Sequence, residues 1–243
     1  TNDLTIDTDV TIAMDTHDLS VTNATDIDGT LAVAGNALTL NGESDIDGTI
    51  TISTGTVDAD STFDATGGTI TFTGTGNLTL SSTVTSLGDV SVDFGTVTYD
   101  GPGDQDIVAD DYYSLTAGGG SGIKTFAGTV TVGGNLTIDA DVTIAMDSYD
   151  LTVTGAANIV GALTVAANTL TLNGASDIDG TITVSTGAVD ANGTFDATGG
   201  NVTFTGAGNL TLASTVTDLG TLSTNFGKVT YDGTAQTIFA DTY

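Results

Sequence analysis

Carboxylates in a repeated short motif are the side chains of this sequence with the clearest chemical potential. The motif Asp-Ile-Asp-Gly-Thr occurs three times, at residues 26–30, 45–49 and 177–181. Ca²⁺ prefers carboxylate oxygens as ligands, and spaced aspartates followed by glycine are typical of calcium-binding loops. An EF-hand would also need further oxygen ligands at fixed positions and a glutamate at position twelve, which this sequence does not place. Any calcium site must therefore form between neighbouring segments of the chain.

Stacking of these motifs on successive turns would bring their carboxylates together. Asp28, Asp47 and Asp64 would then share one column at a spacing of about 4.8 Å, where like charges favour a shared cation. The second copy of the motif region has Asn158 and Val160 in place of the first two aspartates. The aspartates are therefore either calcium ligands or turn residues on a solvated acidic face. The candidate metal ligands are Asp45, Asp47, Asp64, Asp177 and Asp179, and Ca²⁺ is the one cofactor that they suggest.

Catalytic chemistry has little support in the sequence. The single histidine, His17, is replaced by Tyr149 in the repeated copy, and the chain has no cysteine. Carbohydrate-active β-helix enzymes combine aspartates with cationic side chains, which stabilise developing negative charge. This chain has no arginine, and its two lysines, Lys124 and Lys228, lie at different positions of the repeat. We therefore predict that the protein is not an enzyme.

The charge balance excludes two classes of partner. The 31 acidic side chains outnumber the two lysines, and the formal net charge is −29. Such a surface repels nucleic acid and anionic membranes. Hydrophobic residues make up 39% of the chain, which is enough for a core. No apolar run approaches the roughly 18 residues of a membrane span. We predict neither nucleic-acid binding nor membrane insertion.

A long internal repeat organises the chain. Residues 168–212 repeat residues 36–80 after 132 positions, and 36 of the 45 aligned residues are identical without insertion or deletion. Such a repeat is typical of stacked architectures, in which each unit buries its hydrophobic face against the next. We predict one continuous solenoid with a first unit at 1–132 and a second, incomplete unit at 133–243.

A shorter period lies inside the unit. A hydrophobic residue followed by an outward polar residue returns every 15 to 21 positions, at Leu4, Leu19, Leu38, Val57, Leu78, Val97, Leu115, Leu136, Leu151, Leu170, Val189, Leu210 and Val229. Alternating apolar and polar residues predict short half-buried strands, and the glycines predict turns between them. This pattern predicts an all-β parallel β-solenoid of about 19 residues per rung, with seven rungs per unit and thirteen in all. The polar positions predict one outward column rich in threonine, which suits a parallel sheet.

General rules of β-structure bear on the hand of the solenoid and on the main alternative fold. Parallel crossover connections are right-handed, so we expect a right-handed β-helix. The main alternative is an antiparallel β-sandwich or a tandem of sandwiches. The sandwich predicts hairpins and long alternating loops, whereas a motif that returns thirteen times at nearly constant spacing favours the solenoid.

The end of the first unit carries a second motif, which returns in the second unit. Its residues are Tyr99-Asp100-Gly101, Gln105, Ile107, Tyr112-Tyr113, Leu115, Gly118-Gly119-Gly120, Lys124-Thr125 and residues 130–138, and the second copy has Tyr231-Asp232-Gly233, Gln236, Ile238 and Tyr243. This order resembles repeats of very large bacterial surface proteins of the adhesin and filamentous-haemagglutinin-like kind. The resemblance implies an extracellular or cell-surface β-solenoid used as a stalk, fibre or adhesive surface. It implies no catalytic residues.

Two functional hypotheses remain open. The first is a structural segment of an extracellular fibre, stalk or matrix filament. Neither end of the sequence resembles a cap, so we expect either a piece of a longer run of units or end rungs that stack on other copies. The second is an adhesin module that presents a solenoid face to a surface or glycan. Five tyrosines share one type of rung and form either an exposed patch or a cluster packed under the loop at Pro102: Tyr99, Tyr112, Tyr113, Tyr231 and Tyr243.

Overall fold

The computed structural model describes residues 2–223 and 226–240. These residues form 35 short strands and no helix, so none of them belongs to a helix that could span a membrane. Each strand has two to four residues, and glycine-rich or aspartate-rich turns separate successive strands.

The first repeat unit contains strands β1 to β20. They are β1 (Leu4–Ile6), β2 (Thr11–Ala13), β3 (Leu19–Val21), β4 (Thr25–Ile27), β5 (Thr30–Val33), β6 (Ala37–Leu40), β7 (Ser44–Ile46), β8 (Thr49–Ile52), β9 (Thr56–Ala59), β10 (Phe63–Asp64), β11 (Thr69–Phe72), β12 (Asn77–Leu80), β13 (Val84–Ser86), β14 (Asp89–Val90), β15 (Thr96–Tyr99), β16 (Gln105–Ile107), β17 (Asp111–Tyr112), β18 (Ser114–Ala117), β19 (Ile123–Phe126) and β20 (Val130–Val132).

The second repeat unit continues with strands β21 to β35. They are β21 (Leu136–Ile138), β22 (Thr143–Ala145), β23 (Leu151–Val153), β24 (Ala157–Ile159), β25 (Ala162–Val165), β26 (Thr169–Leu172), β27 (Ser176–Ile178), β28 (Thr181–Val184), β29 (Ala188–Ala191), β30 (Phe195–Asp196), β31 (Asn201–Phe204), β32 (Asn209–Leu212), β33 (Val216–Asp218), β34 (Thr221–Leu222) and β35 (Lys228–Tyr231).

The topology confirms the predicted parallel β-solenoid. Each strand that has a partner pairs in parallel with the strand three strands later in the chain, as β1 does with β4 and β4 with β7. Three strands therefore make one turn. The 35 strands therefore complete about 12 turns, which span roughly 58 Å at a strand spacing of 4.8 Å. No antiparallel pair occurs among the described strands, which excludes the sandwich alternative for this part of the chain. The right-handed coil stays a prediction.

Stacked aliphatic columns form the core. Along β6, Leu38 and Leu40 point inward and are buried, while the residue between them, Thr39, lies at the surface. Leu38 pairs in register with Val57 of the next turn, and the inward positions of the other faces repeat this arrangement. Burial of one such side chain contributes about 1.5–3 kcal/mol relative to exposure. One turn cannot bury both sides of its core layer, so neighbouring turns stabilise each other.

The repeat unit is not a whole number of turns. Strand β21 repeats the sequence of β1 after twenty strands, which corresponds to six and two-thirds turns rather than the predicted seven rungs. Strand β1 lies in the five-stranded sheet β1-β4-β7-β10-β13, whereas β21 lies in the eleven-stranded sheet that begins at β3. The second unit is therefore displaced by one face relative to the first, and the same sequence segment faces a different direction in each copy.

This displacement corrects the predicted threonine column. From Ser20 to Thr137 the outward residues stack in one sheet as predicted, but Thr137 pairs next with Asn158 rather than with Thr152. Thr152 lies instead on a neighbouring face, where it pairs with Thr131 and Thr171. The segment from Leu4 to Leu19 advances the chain by only two strands, from β1 to β3, and the equivalent segment of the second unit does the same. The thirteen predicted rungs therefore correspond to about twelve turns.

Two of the three faces are interrupted in the middle of the described chain. One face consists of the sheet β1-β4-β7-β10-β13 followed by the separate sheet that starts at β16, and a second face breaks in the same way between β14 and β17. Only the eleven-stranded sheet passes through this region, by way of β12, β15 and β18. The irregular segment predicted around Pro102 coincides with this interruption.

Candidate functional site

The acidic motif forms a column on one face, but with a different membership from the prediction. Asp45 pairs in register with Asp26 on one side and with Asp64 on the other. Asp47 lies beyond the end of β7 and does not share this column, so the predicted column of Asp28, Asp47 and Asp64 is wrong. The reason is a shift of register, because Phe63 of β10 pairs with Ser44 rather than with Ile46.

The second unit carries an equivalent column on another face. Asp177 pairs with Asn158 and with Asp196, and Asp196 pairs with Asp218 after a register shift. This column belongs to the eleven-stranded sheet, whereas Asp26, Asp45 and Asp64 belong to the sheet that begins with β1. Asp179 follows β27 and lies outside the column, as Asp47 does after β7. The two acidic columns therefore do not combine into one continuous acidic stripe.

The carboxylates of these columns serve local turns. Asp64 Oδ1 accepts hydrogen bonds from Thr66 N over 3.0 Å and from Thr66 Oγ1 over 2.6 Å, and Asp196 repeats both bonds with Thr198. Partial burial raises the pKa of Asp45, and the neighbouring carboxylates raise it further. Among the described residues, no group of three or more acidic, histidine or cysteine side chains is close enough to hold a metal ion. This geometry favours the turn-residue interpretation, while calcium binding itself stays a prediction.

A polar cleft marks the interruption between β13 and β16. It has a volume of about 430 Å³ and lies between two stretches of chain that an unbroken solenoid would pair. Its lining residues are Ser81, Ser82, Thr83, Val84, Gly101, Pro102, Gly103, Asp104, Gln105, Asp106, Ile123 and Thr125. A smaller cleft of about 290 Å³ occurs at the same position of the second unit, lined by residues 213–216 and 234–237. The cleft is thus a feature of the repeat.

The side chain of Gln105 forms hydrogen bonds with three backbone groups at this cleft. Its Nε2 donates to Leu80 O over 2.8 Å and to Ser82 O over 2.5 Å, and its Oε1 accepts from Gly101 N over 3.2 Å. Leu80 belongs to the unbroken sheet, and its carbonyl also accepts a hydrogen bond from Asp100 N over 3.1 Å, so the Gln105 amide adds a second bond there. A hydrogen bond of this kind contributes about 0.5–1.5 kcal/mol to stability. Gln236 makes the corresponding bonds in the second unit, to residues 212, 214 and 233.

Lys124, on the next turn, binds both the glycine-rich loop and Gln105. Its side chain is 0% exposed, and Nζ donates to Gly101 O over 2.6 Å, Gly103 O over 3.2 Å and Gln105 Oε1 over 3.0 Å. Burial lowers the pKa of the Lys124 amine, and the carboxylates of Asp100 and Asp104 partly oppose this effect. An ammonium with three oxygen acceptors fixes the glycine-rich loop to the strand that follows it. The role is structural, since all three of its donors have partners.

Two tyrosines are buried together in this region of the core. Tyr99 and Tyr112 are buried, and their hydroxyl oxygens lie 3.0 Å apart with the rings edge to face. Tyr99 Oη accepts a hydrogen bond from Val108 N over 3.2 Å, and Tyr112 Oη donates to Val108 O over 2.6 Å. Burial raises the pKa of both hydroxyls well above the ordinary value. Burial of Tyr99 and Tyr112 excludes these two tyrosines from an exposed patch, and packing under the loop at Pro102 stays a prediction.

A different pair of aromatic rings is exposed nearby. Tyr113 is 39% exposed and Phe94 is 48% exposed, and their ring centroids lie 6.4 Å apart at an interplanar angle of 47°. Val92 is also 49% exposed on the same loop. The sequence includes Tyr113 among the tyrosines that could form an exposed patch. The hydrophobic pattern does not distinguish Phe94 from a core residue. Tyr243 lies outside the described residues.

The remaining candidate side chains take no part in this region. His17 is exposed, and its Nδ1 lies 3.3 Å from Thr16 Oγ1. Lys228 is exposed at the start of β35. The described structure therefore brings no set of groups together that resembles a nucleophile with its base. The features concentrated at the interruption are a polar cleft, a buried lysine and an exposed aromatic pair.

Comparison with known proteins adds no identity. No protein-family model, curated protein or solved structure matches the chain.

Proposed function

We propose that this chain is a structural segment of an extracellular fibre, stalk or matrix filament, in which the solenoid acts as a stiff rod. The observation that most directly supports this proposal is the eleven-stranded sheet from β3 to β33, which stays unbroken where the other two faces are interrupted. Backbone hydrogen bonds in this sheet are directed along the solenoid axis, so they join each turn to the next and resist the separation of turns. Such an arrangement suits a load-bearing element.

The side chains at the interruption support the same proposal. Where two faces break, Gln105 and Lys124 join neighbouring segments by buried hydrogen bonds, and the buried Tyr99–Tyr112 pair fills the core. A region with this density of satisfied buried polar groups is rigid. The solenoid therefore keeps its continuity at the point where its backbone ladders are weakest.

The surface charge and the resemblance support an extracellular location. A net charge of −29 keeps long rods dispersed by mutual repulsion. The order of residues around Gln105 and Lys124 resembles repeats of large bacterial surface proteins, as does the corresponding segment of the second unit. We propose other copies of this type of repeat as partners, either along one longer chain or by end-to-end stacking.

Immunogold electron microscopy of the source cells tests the proposal. Antibodies raised against the purified chain should label fibres or a surface layer on intact cells, without permeabilisation. Labelling only after permeabilisation would overturn the extracellular assignment. Negative-stain images of the purified chain, once in millimolar calcium and once in chelator, test self-association separately. Long rods in both conditions support end-to-end stacking, rods only in calcium support cation-linked assembly, and particles of roughly 6 nm in both contradict self-assembly.

A second candidate function is an adhesive module that presents one face of the solenoid to a surface or glycan. The exposed Phe94–Tyr113 pair favours it, because exposed aromatic rings are common anchors of binding sites. Binding of the purified chain to a glycan array, with Phe94→Ala as the control, distinguishes this function from a purely structural one.

A further inference from the structure

The exposed aromatic pair is held in place by the fold. Phe94 belongs to the loop that follows β14, and the next residue, Gly95, has φ +84°. A Cβ at Gly95 would lie 2.2 Å from Phe72 Cδ1, so the backbone here rests directly on the buried Phe72 ring. The loop that carries Phe94 is therefore supported from below by the core.

Tyr113 is fixed equally well. It lies between β17 and β18, and the preceding residue, Tyr112, is anchored in the core. The Tyr113 carbonyl accepts a hydrogen bond from Gly134 N over 2.5 Å. Both backbones are thus held, and the two exposed rings lie with their centroids 6.4 Å apart at 47° to each other, a pair that we call the wedge. Preorganisation of this kind reduces the entropy lost on binding.

The surroundings of the wedge are acidic. Asp93 precedes Phe94, Asp111 lies two residues before Tyr113, and both aspartates are exposed. The chain as a whole has a net charge of −29, and Lys124, the lysine of this region, is fully buried. The faces of aromatic rings attract cations, and desolvated organic ammonium groups bind them best. Charge complementarity therefore favours a cationic ligand and disfavours an anionic one.

We propose that Phe94 and Tyr113 form a binding site for an organic ammonium group, such as a quaternary ammonium head group. The ligand places its alkylated nitrogen on the solvent side of the wedge, against both rings, and Asp93 and Asp111 attract its charge. An inorganic cation would instead keep its water shell or seek oxygen ligands. This site extends the proposed structural role, because it gives the rod a defined chemical contact on one side.

The second unit provides an internal comparison. Phe226 aligns with Phe94 and is 66% exposed, and no ring contact of Phe226 occurs among the described residues. A single ring with no partner ring should bind an ammonium group more weakly than the wedge. Phe226→Ala is therefore a control for the position, since it removes the phenylalanine at the equivalent position of the second unit.

Nuclear magnetic resonance titration of the full chain, with labelled phenylalanine and tyrosine, tests the site. The probes are choline and its uncharged isostere 3,3-dimethylbutan-1-ol, at constant ionic strength. Choline should shift the Phe94 and Tyr113 ring signals saturably in the millimolar range, and the isostere should bind several-fold more weakly. Each of Phe94→Leu and Tyr113→Ala should weaken choline binding about two- to fivefold. Tyr113→Phe and Phe226→Ala should leave it nearly unchanged.

Two results would overturn the proposal. Equal binding of choline and the isostere would show a plain hydrophobic patch, and shifts that do not saturate would show no site. Phe94→Leu keeps the apolar side chain, and thermal melting checks that each variant is folded, so a loss of binding is attributable to the ring. Asp93→Asn combined with Asp111→Asn should weaken choline binding without changing the affinity for the isostere. An equal loss for both probes would contradict the electrostatic part of the proposal.

Discussion

Gln105 pairs in register with Lys124 on adjacent turns, and the Gln105 side-chain oxygen accepts a hydrogen bond from Lys124 Nζ over 3.0 Å. All the donors and acceptors of the Gln105 amide are thereby used, two toward the previous turn and two toward the loop and the lysine. A buried polar network is stabilising only when every member is satisfied. The pair therefore joins the two halves of the solenoid across the broken faces.

Lys124→Met should destabilise the protein strongly. The change keeps an unbranched apolar chain but removes the donor to Gly101 O, Gly103 O and Gln105 Oε1. We expect a loss of about 2–4 kcal/mol in the free energy of unfolding, because buried acceptors lose their partner. Urea denaturation measures this loss, and hydrogen exchange should show faster opening at residues 101–107. Lys228→Met, at an exposed position, is the control, and equal melting of the two variants would contradict the structural role of Lys124.

The buried tyrosine pair makes the stability sensitive to high pH. Burial raises the pKa of Tyr99 and Tyr112 above the ordinary value of 10.0. Above pH 10 the unfolded chain loses protons that the folded chain keeps, so the free energy of unfolding falls as the pH rises toward the folded pKa values. We expect the melting temperature of the wild type to decline steeply above pH 10.

The double variant Tyr99→Phe, Tyr112→Phe tests this explanation. It should be less stable at pH 8, because Val108 N and O lose their hydrogen-bond partners. It should also show a much shallower decline between pH 9 and pH 11.5 in thermal melts followed by circular dichroism. A decline as steep as that of the wild type would assign the pH dependence to other groups.

The fold was predictable because its signal is local and repeated. Each strand needs only an alternation such as Leu38-Thr39-Leu40, and stacking requires the same alternation one turn later. The number of turns was not predictable from the same signal, since strands of different faces share the Leu-Thr pattern. Asp9 and Asp15 adopt positive φ in tight turns, which shortens the path from Leu4 to Leu19. The short spacing therefore predicts one rung, although the segment covers two strands.

The candidate site was predictable only in part. A buried lysine and a buried glutamine contradict the usual preference of these residues for the surface, so Lys124 and Gln105 were not expected inside. One signal was present, because a glutamine recurs at this position of the second unit as Gln236. Phe94 carries no such signal, since an exposed phenylalanine and a buried one look alike in sequence.

Two unpartnered hydroxyls in the core offer a route to higher stability. Thr25 Oγ1 and Ser176 Oγ are buried and lack a hydrogen-bond partner. The second unit has Ala157 at the position of Thr25, so an apolar residue already fits there. Thr25→Val and Ser176→Ala should each raise the free energy of unfolding by about 1 kcal/mol, because an unpaired buried hydroxyl is removed.

Urea denaturation of both variants measures this gain, with Ser44→Ala as the control. Ser44 Oγ donates a weak hydrogen bond to Gly42 O over 3.4 Å, so its removal should bring a smaller gain than Ser176→Ala at the equivalent position. A lower stability of Thr25→Val than of the wild type would mean that the hydroxyl has a partner, such as a buried water.

The acidic column should oppose folding at neutral pH. Partial burial and the carboxylates of Asp47, Asp64, Asp26 and Asp28 raise the pKa of Asp45 above 3.8. Between 3.8 and the raised pKa the folded chain holds a proton that the unfolded chain releases, so stability from this group is present below 3.8 and is lost as the pH rises through the folded pKa. Asp45→Asn should therefore stabilise the protein at pH 7 by a few tenths of a kcal/mol, because the position is solvent-exposed.

Asp177→Asn is the matched control, since its neighbour Asn158 is already neutral and its effect should be smaller. Thermal melts of the wild type in calcium chloride and in sodium chloride at equal ionic strength complete the test. Because the described acidic side chains form no group able to hold a metal ion, we expect equal melting temperatures in the two salts. A calcium-specific increase that Asp45→Asn abolishes would instead identify Asp45 and its neighbours as calcium ligands.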